Sequence, residues 1–251
     1  MAKQQGILPI NGTIDNLTFV KRKSGFGVQK KVAIDKKKIA TDPAFARTRE
    51  NGAEFGRAGV AGKLIRTALR SVLTHASDSD VTRRLTKAMM TVIKADKTSE
   101  RGKRNVLDGE LEFLQGFDFN INAPLSVTLH ALYSAAIDRA TGSLKIDIPG
   151  FVPSNMVSVP SGATHFRIVT AGFEIDFENK TYVTDVKASA DIPWNETNTG
   201  AISLVSTVTA NSTYPLFLAM GLEFFQKVGG KLYPLTDKSF NALTLVKVSG
   251  L

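Results

Sequence analysis

Cysteine is missing from all 251 residues, and this absence excludes several classes of site at once. Without a thiol, the chain can form no disulfide, no thiolate-ligated zinc site, no iron–sulfur cluster and no cysteine nucleophile. Histidine is nearly as scarce, since His75, His130 and His165 stand far apart and no HExxH pattern brings two of them onto one helix. The pattern G-x-S-x-G of a nucleophilic serine is also missing. The sequence therefore assigns no catalytic residue, metal or cofactor.

Long apolar runs are lacking as well. No segment reaches the roughly 18 consecutive apolar residues that a membrane-spanning helix needs. The first residues, MAKQQGILPINGT, contain only a short apolar stretch interrupted by Pro9, unlike a secretory signal peptide. We expect a protein that has no membrane partner and that is cytoplasmic, or part of an assembled particle released from the cell.

Acidic residues are scarce only in the first part of the chain. Residues 1–105 contain 23 Lys and Arg against 9 Asp and Glu, a net charge of +14. Residues 106–251 contain 9 against 14, a net charge of −5. A basic block of this size is typical of a nucleic-acid partner, of an oppositely charged neighbouring subunit, or of a solvated face. These three alternatives stay open at this point.

The stretch EFGRAGVAGKLIRTALR, residues 54–70, places three glycines just before Lys63, as a phosphate-binding loop would. The pattern fails twice, because Arg57 replaces the first glycine of a Walker loop and Leu64 replaces the Ser or Thr that coordinates magnesium. The glycines instead predict a loop or kink between two helices, which is the favoured interpretation. The alternative is a small-residue surface that a second backbone, such as that of another subunit, approaches closely.

Residues 1–40 predict a basic β-hairpin arm. Turn signals occur at Asp15-Asn16 and around Ser24-Gly25, and β-forming residues lie between them. A two-stranded hairpin is only marginally stable alone in water, so we expect this one to lie on its own body or on a neighbour.

Residues 41–105 predict a basic helical segment. Asp42 and Pro43 are typical of a helix N-cap and first helical position. A second helix is expected from Asp80. Both helices show an apolar stripe and a basic opposite face, and we place a domain boundary near residue 105.

Residues 106–251 change to a period of two, typical of successive antiparallel strands, and predict a sandwich. The strand FEIDFE, residues 173–178, alternates apolar residues with Glu174, Asp176 and Glu178. We expect a strand with one apolar and one acidic, solvent-facing or partner-facing side. The predicted fold is α+β: an N-terminal basic β-hairpin and two amphipathic helices, followed by a jelly-roll-like or immunoglobulin-like antiparallel β-sandwich.

Two sets of candidate contact residues follow from this charge pattern. The predicted contacts to a polyanion or to a neighbouring subunit are Lys21, Arg22, Lys23, Lys36, Lys37, Lys38, Lys63, Arg66, Arg70, Arg83, Arg84, Lys87, Arg101, Lys103 and Arg104. The predicted acidic counter-surface is Glu174, Asp176 and Glu178.

Three stretches, GTIDNLTF…SGFGVQKK, RTRENGAEFGRAG and SERGKRNV, resemble an uncharacterised family of bacterial proteins of similar length. The resemblance runs through the whole chain and is strongest before residue 105. It implies one shared architecture and a bacterial source. That family carries no established activity, so no catalytic residue follows from it.

These patterns favour a non-enzymatic structural protein that self-assembles into a multimeric particle, tube or shell through its N-terminal arm and β-sandwich. The first alternative is a nonspecific nucleic-acid-binding protein that uses the same basic face through phosphate contacts. The second is a carbohydrate-binding β-sandwich, in which Trp194 or Tyr182 stacks on a sugar. No cofactor is expected under any of the three.

Overall fold

The structure is a computed structural model, and it describes residues 2–3, 10–22, 25–31, 35–235 and 237–250. The chain divides into two compact units, Met1–Arg49 and Glu50–Leu251. This division lies far before the boundary predicted near residue 105. The helical residue Met89 and the sheet residue Phe173 share one hydrophobic core, so the helices and the sandwich cannot be separate domains.

The N-terminal unit contains a four-stranded antiparallel sheet in the order β1-β4-β3-β2 and one short helix. Its elements are β1 (Ala2–Lys3), β2 (Gly12–Ile14), β3 (Leu17–Arg22), β4 (Gly25–Lys30) and α1 (Lys36–Thr41). The predicted turn at Asp15-Asn16 joins β2 to β3, and Asp15 adopts the left-handed φ of 50° that such a turn requires. The other predicted turn falls partly on Lys23 and Ser24, which lie outside the described residues.

The remaining helices precede or interrupt the strands. They are α2 (Ala46–Ala68), α3 (Arg70–Leu73), α4 (Val81–Lys94), α5 (Leu125–Thr128) and α6 (Pro153–Met156), with short 3-10 turns at Pro43–Phe45, Leu111–Leu114 and Lys238–Phe240. The predicted cap is confirmed, because the Asp42 carboxylate accepts a hydrogen bond from the backbone N–H of Ala44 at 2.9 Å. The second predicted helix is α4, which begins directly after Asp80.

The second unit contains two antiparallel sheets. Their strands are β5 (Ser134–Asp138), β6 (Ser143–Ile148), β7 (His165–Asp176), β8 (Thr181–Ala188), β9 (Ile192–Pro193), β10 (Ile202–Thr207), β11 (Leu216–Val228), β12 (Lys231–Pro234) and β13 (Ala242–Ser249). Three strands form the order β10-β6-β5, and the other six form a curled sheet around the long pair β7 and β11. The protein is thus an α+β protein with a sandwich-like pair of antiparallel sheets, as the sequence predicted.

The large sheet is covered on both faces, because each face belongs to a different hydrophobic core. One face of β7, with Phe173, packs in the same core as α2 and α4. The other face, with Ile168, packs in a core that includes Ile146 of the three-stranded sheet. The long central strands are therefore buried on both sides, which a period of two alone does not indicate.

Two segments of the region 106–251, which the period of two predicted to form successive strands, are different in the structure. The segment FDFNIN, residues 117–122, forms only an isolated bridge between Asp118 and Thr244. The beginning of the segment LSVTLHALYSAAI forms α5, because its first residues follow Pro124 and close a single helical turn. Only its end forms a strand, β5.

Candidate assembly interface

Helix α2 runs without interruption through all four glycines of the ENGAEFGRAGVAG stretch. The loop or kink that was the favoured interpretation is therefore wrong, and the small-residue alternative stays a prediction. Gly62 faces α4, where an added Cβ would lie 3.5 Å from Cγ of Leu85. Gly52, Gly56 and Gly59 face open space in the described part of the chain, with no atom within 4 Å of an added Cβ. Their backbone is open to close approach from outside.

Glu54 of α2 anchors the connector that follows α4. Its Oε1 accepts hydrogen bonds from the backbone N–H of Gly102 at 2.8 Å and from Nε of Arg104 at 3.0 Å. In return, Arg57 donates from Nε to the carbonyl of Arg104 at 2.6 Å and from its terminal nitrogen to the carbonyl of Gly102. The stretches RTRENGAEFGRAG and SERGKRNV, which the sequence analysis singled out, thus form one internal network.

This network and its neighbours change the predicted cationic surface. Arg104 is only 20% exposed and pairs with Glu54. Arg84 is 17% exposed, forms an ion pair with Asp78, and stacks over the ring of Phe117 at 5.1 Å. Arg84 and Arg104 are therefore structural residues and not surface contacts, because ion pairs and burial already occupy them.

Other predicted cations are exposed but paired with nearby carboxylates. Arg83 lies 2.7 Å from Asp80, and Lys103 lies 2.9 Å from Glu100. Arg101 donates to the Asn51 side chain and lies 3.3 Å from a Glu50 oxygen. Exposed pairs of this kind leave the side chains free to exchange partners.

The remaining predicted cations lie at the surface of helices or of the N-terminal sheet, except that Arg66 is half-buried. The exposed ones are Lys21, Arg22, Lys36, Lys37, Lys38, Lys63, Arg70 and Lys87. Lys23 lies outside the described residues.

The predicted acidic counter-surface is wrong for two of its three members. Glu174 and Asp176 are each 5% exposed, because their side of β7 faces the three-stranded sheet and not solvent. Thr209 donates its hydroxyl to Glu174 Oε1 at 2.6 Å. Only Glu178, in the turn after β7, is exposed.

Asp176 has a structural role in the turn that joins β7 to β8. Its carboxylate accepts hydrogen bonds from the backbone N–H groups of Asn179 and Glu178, each at 2.9 Å, and from the Asn179 side chain at 2.6 Å. The hydrogen bonds from Asn179, backbone and side chain, hold the pKa of Asp176 below its ordinary value. A carboxylate committed in this way is not available to a partner.

The N-terminal sheet has one apolar face and one polar face. Directly opposed residues of neighbouring strands share a face, and side chains alternate along each strand. The polar face has a hydrogen bond between Arg22 and the Gln29 side chain at 2.8 Å. The apolar face consists of Ile14, Leu17, Phe19, Phe26 and Val28, and Lys21 and Lys30 lie on the same face.

This apolar face is uncovered. Ile14 is 58% exposed and Leu17 is 47% exposed. Among the described residues up to position 49, none is buried. In the described part of this unit, the strands are therefore hydrogen-bonded to one another but bury no side chain.

A groove of about 540 Å³ lies on the second unit between α2, the segment 105–108 and the turn after β7. Its apolar lining residues are Val60, Ala61, Leu64, Val106, Leu107 and Phe177. Asp108 and Glu178 are exposed carboxylates at its edge, and Lys180 also lines it. Val60 is 49% exposed, and nothing in the sequence analysis indicated this groove.

The predicted sugar-stacking residues are only partly exposed. Trp194 is 40% exposed, and its indole N–H donates to the carbonyl of Val157 at 3.1 Å, which fixes the ring as an anchor. A cleft of about 640 Å³ lies along residues 188–204 and is lined by small polar and apolar side chains, among them Asn195 and Asn198. Carbohydrate binding stays a prediction.

Within the described ranges, no three His, Asp or Glu side chains are placed to share a metal ion. None of the helices that the structure describes combines the length and the apolar character needed to cross a membrane. No protein-family model matches the chain, and no curated protein matches it either. The resemblance to a bacterial family therefore stays a prediction.

Proposed function

We propose that the protein is a non-enzymatic structural protein whose copies assemble into a particle, tube or shell through the N-terminal unit. The observation that carries this proposal is the uncovered apolar face of the N-terminal sheet, with Ile14 and Leu17 about half exposed. A small sheet without a hydrophobic core is at best marginally stable in water. A neighbouring copy would supply the missing cover.

The charge of the N-terminal unit supports the same proposal. Residues 1–49 contain 11 Lys and Arg against 3 Asp and Glu, a net charge of +8, whereas residues 50–251 contain 21 against 20, a net charge of +1. Nearly all of the +9 of the whole chain therefore belongs to a unit in which none of the residues with described burial is buried. Like-charged units repel one another, so this unit fits a different surface of the next copy. Such a contact is heterologous and produces rings or open polymers.

The direct test is light scattering behind size exclusion of wild type and of the variant Leu17→Asp. Val228→Asp is the matched control, because Val228 is 55% exposed at the end of a strand in the second unit. We expect wild type and control to form a large species and Leu17→Asp to elute as a monomer of 27.1 kDa. A wild type that is monomeric at low and at high salt would contradict the proposal.

A second candidate function is nonspecific nucleic-acid binding by the same basic unit. The observation that favours it is the run Lys36, Lys37 and Lys38 on α1, in which every residue is exposed. Phosphate contacts from such a run lose affinity steeply as salt rises. In an assembled particle, both functions are compatible.

Nucleic-acid binding is tested by fluorescence anisotropy with labelled single- and double-stranded oligonucleotides at about 50 and 200 mM salt. The triple variant Lys36→Gln, Lys37→Gln, Lys38→Gln should bind at least about tenfold more weakly at the lower salt. Its control is Lys227→Gln, Lys231→Gln, Lys247→Gln, which removes the same charge from exposed positions of the second unit. Equal affinity of the two triple variants would refute a role of the N-terminal unit. The assembled protein is proposed to be cytoplasmic or part of a particle released from the cell.

A further inference from the structure

We infer that the groove between α2, the segment 105–108 and the turn after β7 receives the apolar face of the N-terminal sheet of a second copy. This inference rests on the proposed assembly and adds the surface that the sheet contacts. Both surfaces are uncovered in the described parts of their units: Leu17 of the sheet is 47% exposed, and Val60 of the groove is 49% exposed.

The first argument is the match of apolar surface. The sheet face presents five apolar side chains, and the groove presents three that are not already buried, Val60, Leu107 and Phe177. Their mutual burial would remove both sets from water, which is the main favourable contribution to protein association. Gly56 lies at the edge of the groove with open space where a Cβ would stand, so a second backbone can approach α2 closely there.

The second argument is the match of charge. Lys21 and Lys30 lie on the apolar face of the sheet, and Lys21 already lies over the ring of Phe26 at 5.8 Å. The groove carries the exposed carboxylates Asp108 and Glu178 at its edge. Complementary charges around an apolar contact set its orientation and exclude other partners.

One of the two cations that line the groove does not reduce this match. Arg57 donates its hydrogen bonds to the backbone carbonyls of Gly102 and Arg104, so its guanidinium is occupied within its own unit. Lys180 is the other cation of the lining, and it follows Glu178 in the same turn. The N-terminal unit has a charge of +8. Carboxylates at the edge of the groove therefore favour the docking of this unit there.

The third argument excludes a different apolar surface, between α2 and α4, as the place where the N-terminal sheet docks. Phe55, 61% exposed, and Met90 lie between α2 and α4. Of the cations around them, Arg83, Arg101 and Arg104 are already paired with carboxylates, and Lys87 and Lys94 are exposed. This surface repels a strongly basic unit, whereas the groove beside Asp108 and Glu178 does not.

Charge reversal with rescue tests the inference in the full-length chain. The groove variant is Asp108→Lys with Glu178→Lys, and the sheet variant is Lys21→Glu with Lys30→Glu. A control variant, Glu196→Lys with Asp237→Lys, reverses two exposed carboxylates elsewhere in the second unit. We expect the groove variant and the sheet variant each to be a 27.1 kDa monomer alone and to regain the large species when mixed in equal amounts. The control should assemble as wild type does.

The outcomes separate this inference from the proposed function. If the sheet variant is monomeric while the groove variant assembles fully, copies do assemble through the sheet but the receiving surface lies elsewhere, and the inference is overturned. If wild type is itself monomeric, the proposed function fails as well. A groove variant that binds a small apolar probe less well but assembles normally would assign the groove to a small ligand and would also overturn the inference.

A second experiment guards against a variant that fails to fold. Because the chain has no cysteine, the single substitutions Leu17→Cys and Val60→Cys each introduce the only thiol. When the two variants are dissociated, mixed and oxidised, a disulfide between them requires that the two Cβ atoms approach to about 4 Å. We expect the ratio of the mixed disulfide to either homodimer to be at least about threefold higher than random pairing of the two thiols would give. Statistical pairing would contradict the docking.

Discussion

Nε of Arg104 lies 3.0 Å from Oε1 of Glu54, and the Glu54 side chain is only 2% exposed. The same oxygen accepts the backbone N–H of Gly102. This relationship joins the middle of α2 to a connector that is about 50 residues away in sequence. Glu54 and Arg104 therefore stabilise the second unit, and their charges are not available to a partner.

Replacing Glu54 by Gln should destabilise the protein strongly. The amide keeps the shape of the side chain but leaves the Arg104 charge without its partner, and breaking a buried pair costs about 3 kcal/mol of the free energy of unfolding. The measurement is urea unfolding of the full chain followed by circular dichroism. Glu100→Gln is the control, because the Glu100–Lys103 pair is exposed and its loss should leave the midpoint unchanged. Equal effects of both substitutions would refute the structural role of Glu54.

Two glycine substitutions should have opposite effects. Gly59→Ala adds a Cβ where no atom lies within 4 Å, so it should raise the free energy of unfolding by roughly 0.5–1 kcal/mol through helix propensity. Gly172→Ala adds a Cβ only 2.6 Å from Cβ of Ser206, between the two sheets, and should lower that free energy by about 1–3 kcal/mol. Thermal and urea unfolding of both variants distinguish the two cases. A stabilised Gly172→Ala protein would show that the sheets do not pack as closely as the structure indicates.

The contribution of Asp96 to stability should depend on pH. Burial opposes its ionisation, but hydrogen bonds from the backbone N–H groups of Ser99 and Asn105 and from the Thr98 side chain outweigh burial and hold its pKa below 3.8. Because the folded pKa is depressed, this stabilisation is present above the unfolded pKa and is lost as the pH falls below it towards the folded pKa.

The variant Asp96→Asn makes that dependence measurable. It should lower the free energy of unfolding by about 2 kcal/mol at pH 7, because hydrogen bonds to a charged acceptor become bonds to a neutral one. The difference in the free energy of unfolding between wild type and variant should become smaller at about pH 3, where Asp96 is protonated in the unfolded wild-type chain. Urea unfolding at both pH values provides the comparison. A gap of the same size at both would mean that the charge of Asp96 does not contribute.

Assembly should weaken as the salt concentration rises. Salt ions screen the interaction of exposed charges beyond about 10 Å at 0.1 M salt and beyond about 3 Å at 1 M. The mass of the large species should therefore fall between about 0.05 and 0.5 M sodium chloride, as recorded by light scattering. A mass that rises with salt would indicate an apolar contact without the contribution of Lys21 and Lys30.

Local sequence patterns predicted where helices and turns begin better than they predicted which side chains are buried. The N-cap at Asp42, the start of α4 after Asp80 and the turn at Asp15-Asn16 were predicted, because caps and turns depend on neighbouring residues. The glycines of α2 were misinterpreted, because low helix propensity costs less than the packing of Gly62 against Leu85 contributes.

The candidate site was predicted less well, because the burial of a side chain depends on segments that are distant in the sequence. Alternation along β7 indicated two different faces, and the structure confirms that Phe173 and Glu174 point to opposite sides. Whether a side is exposed to solvent or buried depends on the layer that covers it. That layer is built from β6 and β10, which lie before and after β7 in the sequence and are separated from it by other elements. A charged residue at one position of a strand does not show which layer lies opposite.

By itself, the sequence determined the caps and turns at Asp42, Asp80 and Asp15-Asn16, the lack of thiol chemistry and the concentration of positive charge near the N-terminus, because composition and local spacing are sufficient for each of these. Only the tertiary structure decided which charges are used internally, as Arg104 and Asp176 are, and which apolar residues stay uncovered, as Leu17 and Val60 do. Ion pairing and burial depend on segments that are distant in sequence but close in space, and no local pattern encodes that proximity.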